Sequence, residues 1–296
     1  MAQFVILNQS SIRIQNRLFG RITRLIRGAG CILLMLLIGA CSLPAYKIIE
    51  DAGQAYQVKS SENFKHLWIS NVYDAVFEHK LGPVIVFIDG DGAPWQRYNR
   101  VAFDPTPDEP LLLQWFLTAE VPAIYLGRPC YFDLNDKACS AYWFTHGRYS
   151  EPVVSSLVSV LSENIANRDV ILVGHSGGAT LAMLMAATLS QVKAVVTIAG
   201  NLNVQAWTEH HQYTDLLGSL DPSLRQTATQ TIKQVHFYSP LDAVIKTEWV
   251  KIFSTSQLNS IVVALPVKGH NQAWVGYQAE IMRRVLEISA DLVETK

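Results

Sequence analysis

Ser176 lies in the pentapeptide Gly174-His175-Ser176-Gly177-Gly178, between an apolar run, Val170 to Val173, and a helix-forming stretch, Ala179 to Leu184. G-x-S-x-G is common by chance, and its flanks give it meaning. A buried strand, a very tight turn and a helix would leave the serine hydroxyl exposed at the turn. Side chains at the flanking positions would collide with the neighbouring strand and helix, so glycine is needed there. The helix N-terminus beneath would favour the negative charge of a tetrahedral intermediate. The sequence therefore predicts a nucleophilic serine. The competing reading is a glycine-rich turn with a helix-capping serine.

The same strand-then-helix alternation runs along the chain. Pro83 to Ile88 is a continuous apolar run of the kind buried on both faces of a sheet. Similar runs are Ala123 to Leu126, Val170 to Val173, Ala194 to Ile198, Val235 to Tyr238 and Ile261 to Leu265. Helical patterns lie at Leu111 to Ala119, Pro152 to Asn164, Ala179 to Leu189 and Gln272 to Val293. Such alternation predicts an α/β fold with a mainly parallel central sheet and helices on both faces. Phe64 to Ser70 and Tyr73 to Glu78 are expected to form an antiparallel pair. Two stretches, Gly90 to Pro110 and Asn201 to Gln234, lack a clear period. Both leave strand C-terminal ends, where α/β sheets bind ligands, and long irregular segments in a compact domain are often functional. Whether 201–234 forms a lid is left open.

A serine hydroxyl needs a base, usually a histidine held by a carboxylate. Of the eight histidines, His270 follows the last expected strand, which puts it at the same end of the sheet as Ser176. His210 and His211 read better as structural residues, although either could line a pocket. His175 is expected to point away from the site and to pack. Asp242 follows the penultimate expected strand and is the expected acid; Asp215 and Asp221 compete but have no strand before them. The expected oxyanion donors are the backbone N–H of Gly177 and that of Asp91, in the loop Asp89-Gly90-Asp91-Gly92 after the Pro83 to Ile88 strand. Two carboxylates beside a developing oxyanion are unfavourable. They are expected to turn outward, to pair with Arg97 or Arg100, or to bind a cationic substrate group. A calcium loop is excluded, because Pro94 occupies the position that needs glycine and Arg100 the one that needs glutamate.

The N-terminus carries a different signal. Residues 1–40 hold Arg13, Arg17, Arg21, Arg24 and Arg27 and no acid. Those are five of the 24 basic residues, which leaves 19 against 25 acids, a net charge of about −6 for the rest. Nucleic-acid binding, which rests on phosphate neutralisation, is not expected of such a surface. The apolar run from Ala29 to Ile38 is short for a bilayer span. A basic segment, a short apolar core and small residues describe a secretory signal. Ile38-Gly39-Ala40-Cys41 is similar to a bacterial lipobox, which implies cleavage before Cys41 and its lipidation; an uncleaved signal anchor is the alternative. Several acyl chains suffice for stable membrane anchoring. Ser42 after the cysteine points to the outer membrane, facing the periplasm. The expected organisation is a signal peptide over 1–40, a tether over 41–63 and one domain over 64–296. In an oxidising compartment Cys130 and Cys139 are most simply a disulfide, with two free thiols as the alternative. No metal or organic cofactor is expected.

Taken together, the chain resembles an α/β-hydrolase-fold serine hydrolase over roughly residues 64–293. The resemblance rests on Gly174 to Gly178, Asp242, His270 and the Asp89 to Gly92 loop, in the chain order Ser, Asp, His. Gly127 to Tyr131, Tyr142 to Phe144 and Arg148 to Ser150 are similar to an uncharacterised bacterial lipoprotein group within that superfamily. The resemblance implies a periplasm-facing hydrolase. Asp89-Gly90 stands where His-Gly is usual, a departure that bears on the oxyanion hole. A carboxylic-ester substrate, small-molecule or lipid, is the first expectation. An amide, peptide or thioester hydrolase with the same triad, and a catalytically silent envelope lipoprotein that binds a ligand or partner, are the alternatives.

Overall fold

The computed structural model describes residues 44–72, 82–97, 100–134 and 139–294. The signal segment and Cys41 lie outside the described residues. The chain begins with helix α1 (Pro44–Asp51) and strands β1 (Gln57–Ser60), β2 (Lys65–Ser70) and β3 (Val84–Ile88). A small hairpin, β4 (Trp95–Gln96) with β5 (Arg100–Val101), precedes α2 (Leu111–Leu117) and β6 (Ala123–Leu126). Then follow α3 (Glu151–Asn164), β7 (Val170–His175), α4 (Gly177–Ala186), β8 (Val192–Ile198) and α5 (Val204–His211). The chain ends with β9 (Lys233–Tyr238), α6 (Thr247–Thr255), β10 (Ser260–Ala264) and α7 (Gln278–Glu294).

Eight strands form one sheet in the order β1-β2-β6-β3-β7-β8-β9-β10. From β6 to β10 all neighbours are parallel; β1 and β2 are antiparallel additions at one edge. Alternation along β3 explains why its run is apolar throughout. Val84, Val86 and Ile88 pack on one face, with α3, α4 and α6. Ile85 and Phe87 pack on the other, with α1, α2 and α7. Burial on both faces requires an unbroken apolar run in place of a polar alternation. The chain passes from β3 to β6 on one side and then returns to β7 on the other. That reversal opens a crevice at the strand C-termini of β3 and β7.

The structure corrects several expectations from sequence. The segment expected to be a tether is built into the fold over much of its length. Ala45 and Ile49 of α1 are fully buried, and β1 pairs along β2 from Gln57 opposite Trp68 to Ser60 opposite Lys65. The antiparallel neighbours of β2 are β1 and β6; residues 73–81 are outside the described residues. The β10 run is an edge strand, with Ile261 about half exposed. The 201–234 stretch contains α5, capped by Asn203, whose side chain accepts a hydrogen bond from the N–H of Ala206. At eight residues this helix is too short to show a period.

Cys130 and Cys139 are joined, with Cα atoms 5.5 Å apart. The bond closes a short loop, so its chain-entropy contribution is about 2–3 kcal/mol. Replacing both cysteines by serine is expected to lower the unfolding free energy in urea by about that amount. An unchanged midpoint would show that the loop is held by its packing alone.

Candidate active site

The turn after β7 is built around a strained residue. Ser176 has φ 51° and ψ −119°, a conformation that costs a residue with a Cβ on the order of 1–3 kcal/mol. The glycines around it permit close packing. A Cβ on Gly174 would lie 2.5 Å from the carbonyl oxygen of Gly178 and 2.6 Å from Ala179 Cα. One on Gly178 would collide with the carbonyl of Ile88, at the end of β3. The helix thus sits directly against two strand ends, and the Ser176 side chain stands clear of both.

Two loops bring their residues to this point. The β10 loop supplies His270, whose Nε2 is 2.7 Å from Ser176 Oγ. The β9 loop supplies Asp242, whose Oδ2 is 2.8 Å from His270 Nδ1. The other Asp242 oxygen accepts the N–H groups of Val244 and Ile245, at 2.8 and 3.2 Å. Burial opposes ionisation of this carboxyl, but the His270 hydrogen bond and charge and the two backbone donors outweigh it, so its pKa is lowered. A buried, ionised carboxylate fixes the imidazole with Nδ1 as donor and leaves Nε2 to accept from the serine hydroxyl. Ser239 ties the two loops together, donating from Oγ to the carbonyl of Val267 at 2.7 Å.

His175 does not point away. It lines the same cavity, and its Nε2 lies 2.9 Å from the His270 carbonyl oxygen. Burial, and then the proximity of His270, push its pKa down to about 3, so it is neutral and donates from Nε2. Its position next to Ser176 gives it a brace on the histidine loop that sequence order did not reveal. Asp221 is structural, capping backbone N–H groups of Ser223 and Gln205. Asp215 meets His146 through its backbone carbonyl. His210 and His211 pack against Trp249.

The β3 loop departs most from expectation. Arg97 and Arg100 are exposed, and neither carboxylate turns outward to them. Asp89 caps α2, accepting from Leu112 and Leu113 N–H at 2.9 and 3.0 Å. Burial pushes its pKa up to about 6 against the pull of those two donors. Asp91 turns inward to a cluster drawn from the Gly127 to Tyr131 and Arg148 to Ser150 stretches, a pairing the sequence did not indicate. It accepts from Arg128 at 2.5 Å, Arg148 at 3.0 Å and the Tyr149 hydroxyl at 2.5 Å. The Tyr131 hydroxyl donates to the Asp91 carbonyl at 2.9 Å. Burial opposes the Asp91 charge, but the two guanidiniums hold its pKa well below the usual carboxylate range. The carboxylate stays close to Gly177, but its charge is compensated by the two guanidiniums, which meets the objection raised by its sequence position. The Asp91 N–H donates to no protein group among the described residues, and the N–H of Gly177, first in α4, has no intrahelical acceptor. Both N–H groups therefore lack a protein acceptor among the described residues.

A cavity of about 890 Å³ opens over Ser176 and His270. Trp95, Trp207, Tyr213 and Leu216 supply apolar wall, and Arg148 and Glu109 supply charge. A serine, an imidazole and a carboxylate in one hydrogen-bonded line, with two backbone donors beside them, can carry out acyl transfer.

Solved structures of similar fold include an esterase of Pyrococcus furiosus, with a TM-score of 0.56 and 13% identity over 81% of this chain and 93% of that one. The fold is the α/β-hydrolase fold. A bacterial membrane phospholipase A shares it, with a TM-score of 0.55 and 14% identity over 89% of this chain and 99% of that one. So does a puromycin-hydrolysing peptidase of Mycobacterium tuberculosis, with a TM-score of 0.52 and 11% identity over 77% of this chain and 38% of that one. A family model described as BAAT / acyl-CoA thioester hydrolase C terminal matches residues 154–265. That match takes in Ser176 and Asp242 and stops short of His270. No curated protein matches the sequence.

The buried ion cluster has a thermodynamic signature. Asp91→Asn leaves two buried guanidiniums without their carboxylate and is expected to cost about 3–5 kcal/mol of stability, read by denaturant unfolding. The pH dependence has two parts. Asp91 and Asp242 have lowered folded pKa values, so their contribution is present above about pH 4 and is lost as pH falls below it. Asp89 has a raised one, so its contribution is full below about pH 4 and is lost as pH rises through about 6. Melting temperature against pH should therefore fall steeply on the acid side in the native protein and less steeply in Asp91→Asn. An identical acid slope would show that Asp91 is not held ionised by the arginines.

Proposed function

We propose that this protein is a serine hydrolase acting on carboxylic esters. The observation that carries the reading is His270, placed by hydrogen bonds between the hydroxyl of Ser176 and the carboxylate of Asp242. Ser176 Oγ attacks the acyl carbon while His270 Nε2 takes its proton. Asp242 stabilises the imidazolium without accepting that proton. The N–H groups of Gly177 and Asp91 receive the oxyanion; one such donor is worth on the order of 10²–10³ in rate. His270 then protonates the leaving alcohol, and the acyl group remains on Ser176. Water, deprotonated by His270, attacks the acyl-enzyme and releases the acid and the free serine.

A thioester is the second reading, favoured by the acyl-CoA thioester hydrolase description of the family model that matches 154–265. Matched oxygen and sulfur esters of one acyl group separate the two by their kcat/KM ratio. The fold itself hosts ester, phospholipid and peptide chemistry in its relatives and does not choose among them. We further propose that Cys41 is lipidated and that the domain works at the periplasmic face of the outer membrane. The lipobox-like Ile38 to Cys41 and the preceding basic and apolar segments support that location.

The test is labelling by a fluorophosphonate, which reacts only with an activated serine. Labelling is expected in the native protein, absent in Ser176→Ala, and slowed at least about 10³-fold in His270→Ala and Asp242→Ala. A folded native protein that stays unlabelled would favour a ligand-binding lipoprotein instead.

A further inference from the structure

The arginine cluster behind the β3 loop leaves one guanidinium nitrogen without a protein acceptor among the described residues. Arg128 and Arg148 are both buried, and both pair with the one carboxylate of Asp91. Asp89, the other buried acid nearby, is held by the N-terminus of α2. Arg128 is enclosed by the rings of Tyr131 and Tyr149, with its guanidinium 4.9 and 5.7 Å from them. Arg148 is the member that reaches the cavity. Its Nε donates to the Thr145 carbonyl at 2.6 Å and its Nη1 to Asp91. Its Nη2 donates to no group among the described residues, although the side chain is only 5% exposed. A guanidinium nitrogen on a cavity wall with no protein acceptor is free to meet a ligand anion.

The position of this unpaired donor gives it a use. The Asp91 carboxylate that Arg148 holds is pressed against Gly177, so closely that a Cβ there would collide with it. Arg148 is therefore one carboxylate away from the residue that follows Ser176, and Arg148 and Ser176 line the same cavity. Of the acids that line that cavity, Asp89 and Asp91 are already taken by backbone N–H groups and by the guanidiniums, and Asp108 and Glu109 are exposed. Water and salt screen the exposed two, whereas the field of a buried guanidinium is little screened.

We propose that Arg148 is a specificity residue that binds a carboxylate carried by the substrate, so that the preferred ester is a monoanion. The proposal rests on the serine-hydrolase reading for its link to catalysis, and on the cavity alone for its link to binding. One free guanidinium nitrogen on the cavity wall suits a single carboxylate. The bond thus formed is a charge-assisted hydrogen bond, stronger than a neutral pair, and no covalent step is added.

The experiment is calorimetric titration of Ser176→Ala with monomethyl succinate and with dimethyl succinate, two ligands that differ by one charge and one methyl group. The monoester is expected to bind at least about 10-fold more tightly, which is about 1.4 kcal/mol. Adding Arg148→Gln in the same background is expected to bring the two affinities together. Equal affinities, tighter binding of the diester, or no binding of either at millimolar concentration would overturn the proposal without any Arg148 variant. Fluorophosphonate labelling of the native protein separates this outcome from the parent reading. Labelling without a monoester preference removes the carboxylate subsite alone. A monoester preference without labelling supports the subsite and removes the hydrolase.

Discussion

Ser176 holds a left-handed backbone conformation that a residue with a side chain adopts only under constraint, and the rest of the site depends on that constraint being met. The strain is sustained by the packing of α4 against β3 and β7, which only glycine at 174 and 178 allows. The apolar face of α4, with Leu181 and Met185 buried in the core, anchors the helix. Burial of each such side chain is worth about 1.5–3 kcal/mol, enough to offset one strained residue. The elbow is therefore stored in the core and presented at the sheet edge.

Around it the parallel sheet acts as a register. β3, β7, β9 and β10 end on one side, and each delivers one functional group: Asp91, Ser176, Asp242 and His270 in turn. The loops carrying these groups are braced to one another by few but buried bonds. Ser239 joins the acid loop to the histidine loop, His175 joins the elbow to the histidine loop, and Arg128 and Arg148 hold the β3 loop through Asp91. In a site excluded from water these bonds act at low dielectric, where both their strength and the penalty for losing one partner are large.

The sequence made the strand order of Ser, Asp and His legible, because each residue follows an apolar run with a defined period. Gly174 and Gly178 were legible for the same reason, since their need is local. The partners of Asp91 were not. Arg128, Arg148 and Tyr149 lie 37 to 58 residues away, in segments without a helical or strand period, and nothing local tells a buried arginine from a solvated one. The direction of Asp91 was misread accordingly, and so was that of His175, whose contact spans 95 residues. The 44–60 segment read as a tether because its helix and strand are short and polar; the helix is buried against residues remote in sequence, and the strand is mostly exposed and held by its pairing with β2.

The account centres on an acyl group passing through Ser176. The most direct measurement is the first turnover of a p-nitrophenyl ester by stopped flow, with acid-quenched protein analysed by peptide mass spectrometry. The account predicts a stoichiometric burst of p-nitrophenolate ahead of the steady rate, and an acyl group on the peptide that contains Ser176. Steady turnover with no burst, and no acyl group on that peptide even when the quench is made within the first turnover, would contradict it.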